Sequence, residues 1–219
     1  MNESESLWSD VDRYIGDHVK VEDDALSATL RDSLTAGLPE IAVSPPQGKL
    51  LMLLAASISA KRILEIGTLG GYSTIWLARG LPSDGQVITC EYSAEHARVA
   101  GENLENAGVS NLVDIRVGPA LDTLATLDGP FDLSFIDADK ENNASYFHSA
   151  LQLSRPGSLI IVDNTVREGA IVDPSREDSA TMGTRSLYEA LRDEPRVSAT
   201  AIQTVGSKGY DGFVLARVL

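Results

Sequence analysis

Acidic, amide and basic side chains follow two apolar runs in the second half of the sequence. Asp137, Asp139 and Lys140 end one run, and the next run ends in Asp163 and Asn164. Carboxylate and amide oxygens suit Mg²⁺, Ca²⁺ or Mn²⁺ rather than zinc. Three such ligands would leave about three positions of an octahedral ion for water or for two neighbouring substrate hydroxyls. A bound ion lowers the pKa of such a hydroxyl, and Lys140 is near enough in sequence to act as general base.

These side chains also have a purely structural interpretation. Asp and Asn at the end of a strand often cap the helix that follows. Asp137 or Asp163 taken alone would fit that role as well as a functional one. Because acids and an asparagine follow both runs, with Lys140 beside them, the pattern favours a shared functional site.

A glycine-rich turn, LEIGTLGGYS, follows another apolar run and precedes a helix-like segment. Its spacing, Gly67-x-x-Gly70-Gly71, is not the GxGxxG of pyrophosphate-binding loops. It favours a cofactor with a carboxylate and an adenosine, whose amino acid end Glu65 could orient. Glu91 ends the next run, where a carboxylate can bind both ribose hydroxyls. The alternative is that the glycines only permit a tight turn.

Strand-like apolar runs and helix-like segments, which must position these residues, alternate regularly along the chain. Apolar runs at 62–67, 86–92, 113–118, 131–138 and 158–164 are separated by helix-like segments at 72–79, 94–107, 119–127 and 142–153. Continuous apolar runs indicate strands buried on both faces, as in a parallel sheet covered by helices. After a helix at 180–192, two further strands at 197–205 and 212–218 form an antiparallel hairpin. The sequence predicts a doubly wound, mostly parallel seven-stranded α/β sheet with its ligand at the carboxyl ends of the strands.

The first 40 residues predict two short helices, from apolar residues spaced at helical intervals. Ser44, followed by two prolines, predicts the start of a third, buried helix. A chain of 219 residues suits one domain, so we expect residues 1–219 to form a single unit with 1–40 as a variable helical lead.

Composition narrows the possible partners. The chain has 32 acidic and 18 basic side chains, a net charge of −14, which makes nucleic acid a poor partner. The longest apolar stretch, 50–58, is too short to span a membrane, and the N-terminus lacks the basic region of a secretory signal. A single cysteine, Cys90, excludes an internal disulfide. We therefore expect a cytoplasmic location.

Taken together, the motifs resemble those of the cation-dependent O-methyltransferases, the group that contains catechol O-methyltransferase and the caffeoyl-CoA O-methyltransferases, and most closely its small bacterial members. The resemblance runs from about residue 40 to 219, through SPPQGKLL, LEIGTLGGYS, VGPA, FIDADK and IVDN. It implies the class I methyltransferase fold and S-adenosylmethionine (SAM) as cofactor. The residues it implies for cofactor binding are Val43, Glu65, Gly67, Thr68, Gly71, Ser73, Glu91, Ala120, Asp137 and Asp139.

The resemblance also implies a reaction. Asp137, Asp163 and Asn164 would bind the divalent cation, most readily Mg²⁺, and Lys140 would be the base. A methyl group would pass in line to a hydroxyl of a catechol or another vicinal diol on a small aromatic molecule. At Glu168 the plant enzymes carry an asparagine, so their substrate does not carry over. The family further implies a homodimer, and a mobile segment at 166–178 that covers the acceptor.

Three other functions are possible. A tRNA (hydroxyuridine) O-methyltransferase is disfavoured by the negative charge. A non-catalytic SAM-binding scaffold is disfavoured because Asp137, Lys140, Asp163 and Asn164 are all present. A dehydrogenase lacks its GxGxxG turn.

Overall fold

The structure is a computed structural model that describes residues 3–19 and 22–219. Within them, seven strands form one sheet in the order β3-β2-β1-β4-β5-β7-β6. The strands are β1 Arg62–Ile66, β2 Gln86–Glu91, β3 Val113–Val117, β4 Phe131–Ile136, β5 Ser154–Asp163, β6 Val197–Gly206 and β7 Gly209–Val218. Strands β1 to β5 are parallel, whereas β7 is antiparallel to both β5 and β6. The predicted fold class is confirmed.

Helices lie on both faces of this sheet. They are α1 Glu3–Val19, α2 Asp24–Thr35, α3 Pro45–Ser57, α4 Tyr72–Arg79, α5 Ala94–Asn106, α6 Ala120–Leu124, α7 Asn143–Gln152 and α8 Ser179–Arg192. Short 3₁₀ turns occur at Ser110–Leu112, Lys140–Asn142 and Arg167–Val172. No helix in the described ranges has the length and apolar composition needed to cross a membrane.

The sheet separates two apolar cores. In β4, Leu133 and Phe135 pack into the core that includes residues of α3 and α4. Ile136 packs on the other face, in the core that includes Phe147 of α7 and Leu187 of α8. All five side chains are fully buried. Burial on both faces explains why the strands read as continuous apolar runs.

The chain order places a switch point between β1 and β4. From β1 the chain builds outward through β2 and β3, then returns to β4 on the other side of β1. Ile66 and Ile136 pair in register at the carboxyl ends of these strands. Ligands of open α/β sheets bind in the crevice outside such a point, so the glycine turn after β1 and the acids after β4 meet there.

The start of α3 and the terminal hairpin form as predicted, but the turn of the hairpin is shorter than predicted. The Ser44 side chain accepts a hydrogen bond from the Gln47 N–H at the start of α3, as predicted. The terminal hairpin forms, but Gly206 pairs with Gly209, so its turn is only Ser207 and Lys208. Of residues 206–211, which lie between the two predicted strands, 206 and 209–211 therefore belong to the strands.

Candidate active site

The glycine turn after β1 directly contacts the end of β4. Gly67 has φ +101°, and a Cβ there would lie 2.0 Å from the carbonyl oxygen of Asp137. Gly71, with φ +84°, begins α4 in the left-handed conformation. Larger side chains at these positions would meet backbone strain, and at Gly67 a backbone clash as well. The turn is thus built for close approach between two strand ends.

Glu65 lies behind the turn with no exposed surface. Its Oε1 accepts a hydrogen bond from Ser73 Oγ at 2.6 Å, and its Oε2 accepts from Thr74 Oγ1 at 2.5 Å and Thr89 Oγ1 at 2.7 Å. Burial raises the pKa of Glu65 to about 7, although these hydroxyls act in the opposite direction. Of the three side chains that donate to this carboxyl group, Ser73 lines the cleft, and the carboxyl group holds its orientation.

Glu91 at the end of β2 ties the turn to the neighbouring strand. Its Oε2 accepts hydrogen bonds from the N–H groups of Leu69 at 2.8 Å and Thr68 at 3.2 Å, and its Oε1 accepts from Ser93 N–H at 2.9 Å. The side chain is 7% exposed and lines the cleft. It holds the backbone of the turn and presents a carboxylate where the ribose was predicted.

The cleft at the strand ends has two adjoining halves. The β5 half, of about 550 Å³, is lined by the predicted residues Val43, Gly67, Thr68, Ser73, Asp137, Lys140 and Asn164. The β2 half, of about 520 Å³, is lined by Gly67, Glu91, Ala120, Asp137 and Asp139. The other predicted site residues, Glu65, Gly71 and Asp163, are not among the residues that line either half. A cofactor and a small acceptor side by side would need a cleft of this combined size.

The acids after β4 and β5 form the second part of the site. Asp137 Oδ1 lies 2.7 Å from Lys140 Nζ, and this lysine side chain is 10% exposed. Asp163 is 5% exposed, and its pKa is raised by burial and by the charge of Asp137. Asn164 follows with φ +57° and lines the cleft. A buried carboxylate, Asp163, and a partly exposed one, Asp137, repel each other here, and a cation would offset both the repulsion and the loss of hydration.

Within the described residues, no three His, Cys, Asp or Glu side chains form a metal-binding group. The predicted set contains two carboxylates and one amide, so the cation stays a prediction.

Several cleft residues were missed by the sequence analysis. Tyr146 of α7 lines the β2 half and donates a hydrogen bond to Asp139 Oδ1 at 2.5 Å. His96 of α5 lines the same half, with its Nδ1 3.4 Å from Glu91 Oε1. Residues 38–42 and Arg167 line the β5 half. Tyr146 lies two helical turns beyond Asp139, which is a signal that could have been read; the others depend on contacts distant in sequence.

The parallel sheet with its terminal antiparallel hairpin, and the glycine turn facing acidic strand ends, define the class I methyltransferase fold. The chain matches the profile of the O-methyltransferase family over residues 17–219. It belongs to this family and is a SAM-dependent O-methyltransferase.

Individual relatives agree with this assignment. The chain is 54% identical to a catechol O-methyltransferase of Mycobacterium tuberculosis over 95% of each chain. It is 52% identical to an O-methyltransferase of Bacillus cereus solved with S-adenosylhomocysteine, with a TM-score of 0.96 over 98% of this chain and 100% of the other. It is 50% identical to TomG of Streptomyces achromogenes, solved with SAM, with a TM-score of 0.95 over 100% and 99% of the two chains.

Proposed function

We propose that the protein transfers the methyl group of SAM to one hydroxyl of a catechol or another vicinal diol, with a divalent cation held at the ends of β4 and β5. The observation that carries this proposal is the placement of Asp137, Lys140 and Asn164 in one cleft with the glycine turn. Asp163, the last residue of β5, is buried next to Asn164 in the chain. The name of the mycobacterial relative, a catechol O-methyltransferase, supports the same acceptor class.

The two halves of the cleft support a separate position for each end of the cofactor. The adenosine belongs in the β2 half, with its ribose hydroxyls at Glu91 and its adenine beside Ala120 and Asp139. The methionine end belongs at Gly67, Thr68 and Ser73, near Val43. In this arrangement the sulfonium methyl would lie near Asp137 and Ala138, which are among the residues that line both halves. The acceptor hydroxyl then approaches from the β5 half.

Asp137, Asp163 and Asn164 would hold the cation, with Gly71 and Glu65 supporting the turn opposite. When bound, the cation would supply Lewis acidity that lowers the pKa of an acceptor hydroxyl. Lys140 would take the proton from that hydroxyl. The backbone of Lys140 packs closely against α8, because a Cβ on Gly183 would lie 2.3 Å from the Lys140 carbonyl oxygen. The rate enhancement would come mainly from alignment and charge stabilisation.

A homodimer is a separate part of the proposal. Strand β6 lies at the edge of the sheet and is exposed over eight of its ten residues. Helix α1 also exposes apolar side chains, including Leu7, Val11 and Tyr14. Long exposed edge strands and apolar helix faces are surfaces that commonly associate. Light scattering should give twice the chain mass, and a monomer at all concentrations would contradict this. A cytoplasmic location stays a prediction.

The acceptor class is tested by incubating the protein with labelled SAM and Mg²⁺ on parallel acceptors. We expect label in catechol but not in guaiacol, which keeps only one free hydroxyl of the diol. Equal labelling of the two would contradict a vicinal-diol requirement. Label found only in undermodified tRNA would replace the proposal with the tRNA alternative.

A further inference from the structure

We propose that the natural acceptor is a catechol that carries a carboxylate, and that Arg167 binds this carboxylate and thereby sets acceptor specificity. The inference rests on the proposed function, because it describes the other end of the same acceptor. The guanidinium group of Arg167 lies in the wall of the cleft, and no described residue pairs with it.

Arg167 lies three residues beyond Asn164 and lines the β5 half of the cleft. Its Nε is buried and has no hydrogen-bond partner, and the side chain forms no ion pair within residues 3–19 and 22–219. Arg167 as a whole is half-buried, so the cost falls on its Nε, a buried donor that has lost contact with water and gained no partner. The planar fork of an arginine matches a carboxylate through two parallel hydrogen bonds. An anionic acceptor group would satisfy it.

The backbone at Arg167 is held in an unfavourable conformation. Arg167 and Glu168 have φ values of +57° and +53°, a region that side chains other than glycine rarely adopt. The carboxylate of Asp211 on β7 stabilises it, because its Oδ1 accepts hydrogen bonds from the N–H groups of Val166 at 3.0 Å and Arg167 at 2.9 Å. Such local strain persists where the surrounding structure enforces it, often at ligand sites. Asp211 therefore acts as a positioning residue for Arg167.

The charge of the β5 half is opposite to that of the chain. Among the described residues, its walls carry four cations, Arg31, Lys140, Arg167 and Lys208, and two anions, Glu40 and Asp137. The chain as a whole, by contrast, has a net charge of −14. Lys140 is paired with Asp137, and Lys208 Nζ donates to the carbonyl oxygen of Glu40 at 3.2 Å. A local reversal of charge in a concave site attracts ligands of the opposite sign. The half-cleft thus selects an acidic acceptor from solution.

A matched pair of acceptors tests this: 3,4-dihydroxybenzoate and its neutral methyl ester. Wild-type protein should favour the acid in kcat/KM. In Arg167→Gln we expect kcat/KM for the acid to fall by about 10- to 100-fold, mainly through KM, because a charge-assisted hydrogen bond is lost. The ester should change by no more than about twofold. Arg167→Lys should recover part of the preference, since it restores the charge without the fork.

The control is Arg192→Gln, which removes an equal charge from an exposed arginine that pairs with its neighbour Asp193. It should leave both acceptors unaffected. Equal losses for acid and ester in Arg167→Gln would overturn the proposal. So would a weakened Kd for SAM in Arg167→Gln, which would mean that Arg167 binds the carboxylate of the cofactor instead.

Failure of the proposed diol methylation can be distinguished from failure of the proposed carboxylate site. If wild-type protein methylates neither acceptor, the diol reaction is wrong, and binding of 3,4-dihydroxybenzoate to the SAH-bound protein is measured by calorimetry. Tighter binding by wild type than by Arg167→Gln would support the carboxylate site by itself. Equal binding would reject it.

Discussion

Gly67 and Asp137 touch across the switch point of the sheet, so closely that a single added carbon on Gly67 would lie 2.0 Å from the Asp137 carbonyl oxygen. One residue belongs to the cofactor turn and the other to the proposed cation site. In the proposed reaction, their contact would set the distance between the methyl donor and the acceptor hydroxyl.

Gly67→Ala should weaken SAM binding by at least about tenfold and lower the melting temperature, because the new Cβ meets backbone and the φ of +101° becomes strained. Calorimetry and thermal denaturation measure the two effects. Gly101→Ala is the matched control, since a Cβ there meets no atom within 4 Å and α5 should gain stability. Wild-type affinity and stability in Gly67→Ala would show that the contact does not matter.

Asp163→Asn should abolish methyl transfer while the melting temperature stays constant or rises, because the change removes a buried charge that Asp137 repels. Asp132 offers the opposite case: it is 8% exposed and accepts hydrogen bonds from the Lys61 and Arg62 N–H groups and from Arg155. Asp132→Asn should lose about 1–3 kcal/mol of unfolding free energy and keep its turnover number. Full activity in Asp163→Asn would remove Asp163 from the site.

Glu65 should make stability depend on pH. Its pKa is raised from 4.5 to about 7 in the folded protein. Between these values the folded protein holds a proton that the unfolded chain has released, so stability falls as pH rises through the window and then levels off. Melting temperatures from about pH 5 to about pH 8 should fall more in wild type than in Glu65→Gln. Glu177→Gln, at an exposed position, serves as control; equal slopes in wild type and Glu65→Gln would contradict this origin.

Tyr146→Phe should raise the Kd for SAM about 3- to 10-fold, since Asp139 loses the hydroxyl that orients it in the β2 half. Tyr188→Phe removes a similar hydroxyl, which donates to the Thr165 carbonyl oxygen at 3.1 Å. This control should bind SAM as wild type does. An unchanged Kd in Tyr146→Phe would mean that Asp139 needs no such support.

The sequence predicts strands, their tips and helix starts well, because these follow from local patterns. Asp137 and Asp163 could be placed at one edge since each ends an apolar run in a parallel sheet. The burial of Glu65 could not be predicted, as it depends on Thr89, a neighbour only after β1 and β2 pair. The role of Arg167 could not be predicted for a similar reason, because its backbone is held by Asp211 in a strand that is distant in sequence.

Helix α1 shows another limit of local pattern. Leu7, Val11 and Tyr14 have the spacing of a buried face, yet they are 61%, 47% and 65% exposed. Periodicity indicates that a face is apolar, but it does not say whether the chain itself covers it.

Methyl transfer from labelled SAM to catechol, measured with EDTA and again after Mg²⁺ is restored, tests the central claim most directly. We predict that turnover stops in EDTA and returns with Mg²⁺, while the Kd for SAM stays constant, because the proposed ligands hold the acceptor side of the site. Undiminished turnover in EDTA would contradict a cation-dependent reaction at Asp137, Asp163 and Asn164.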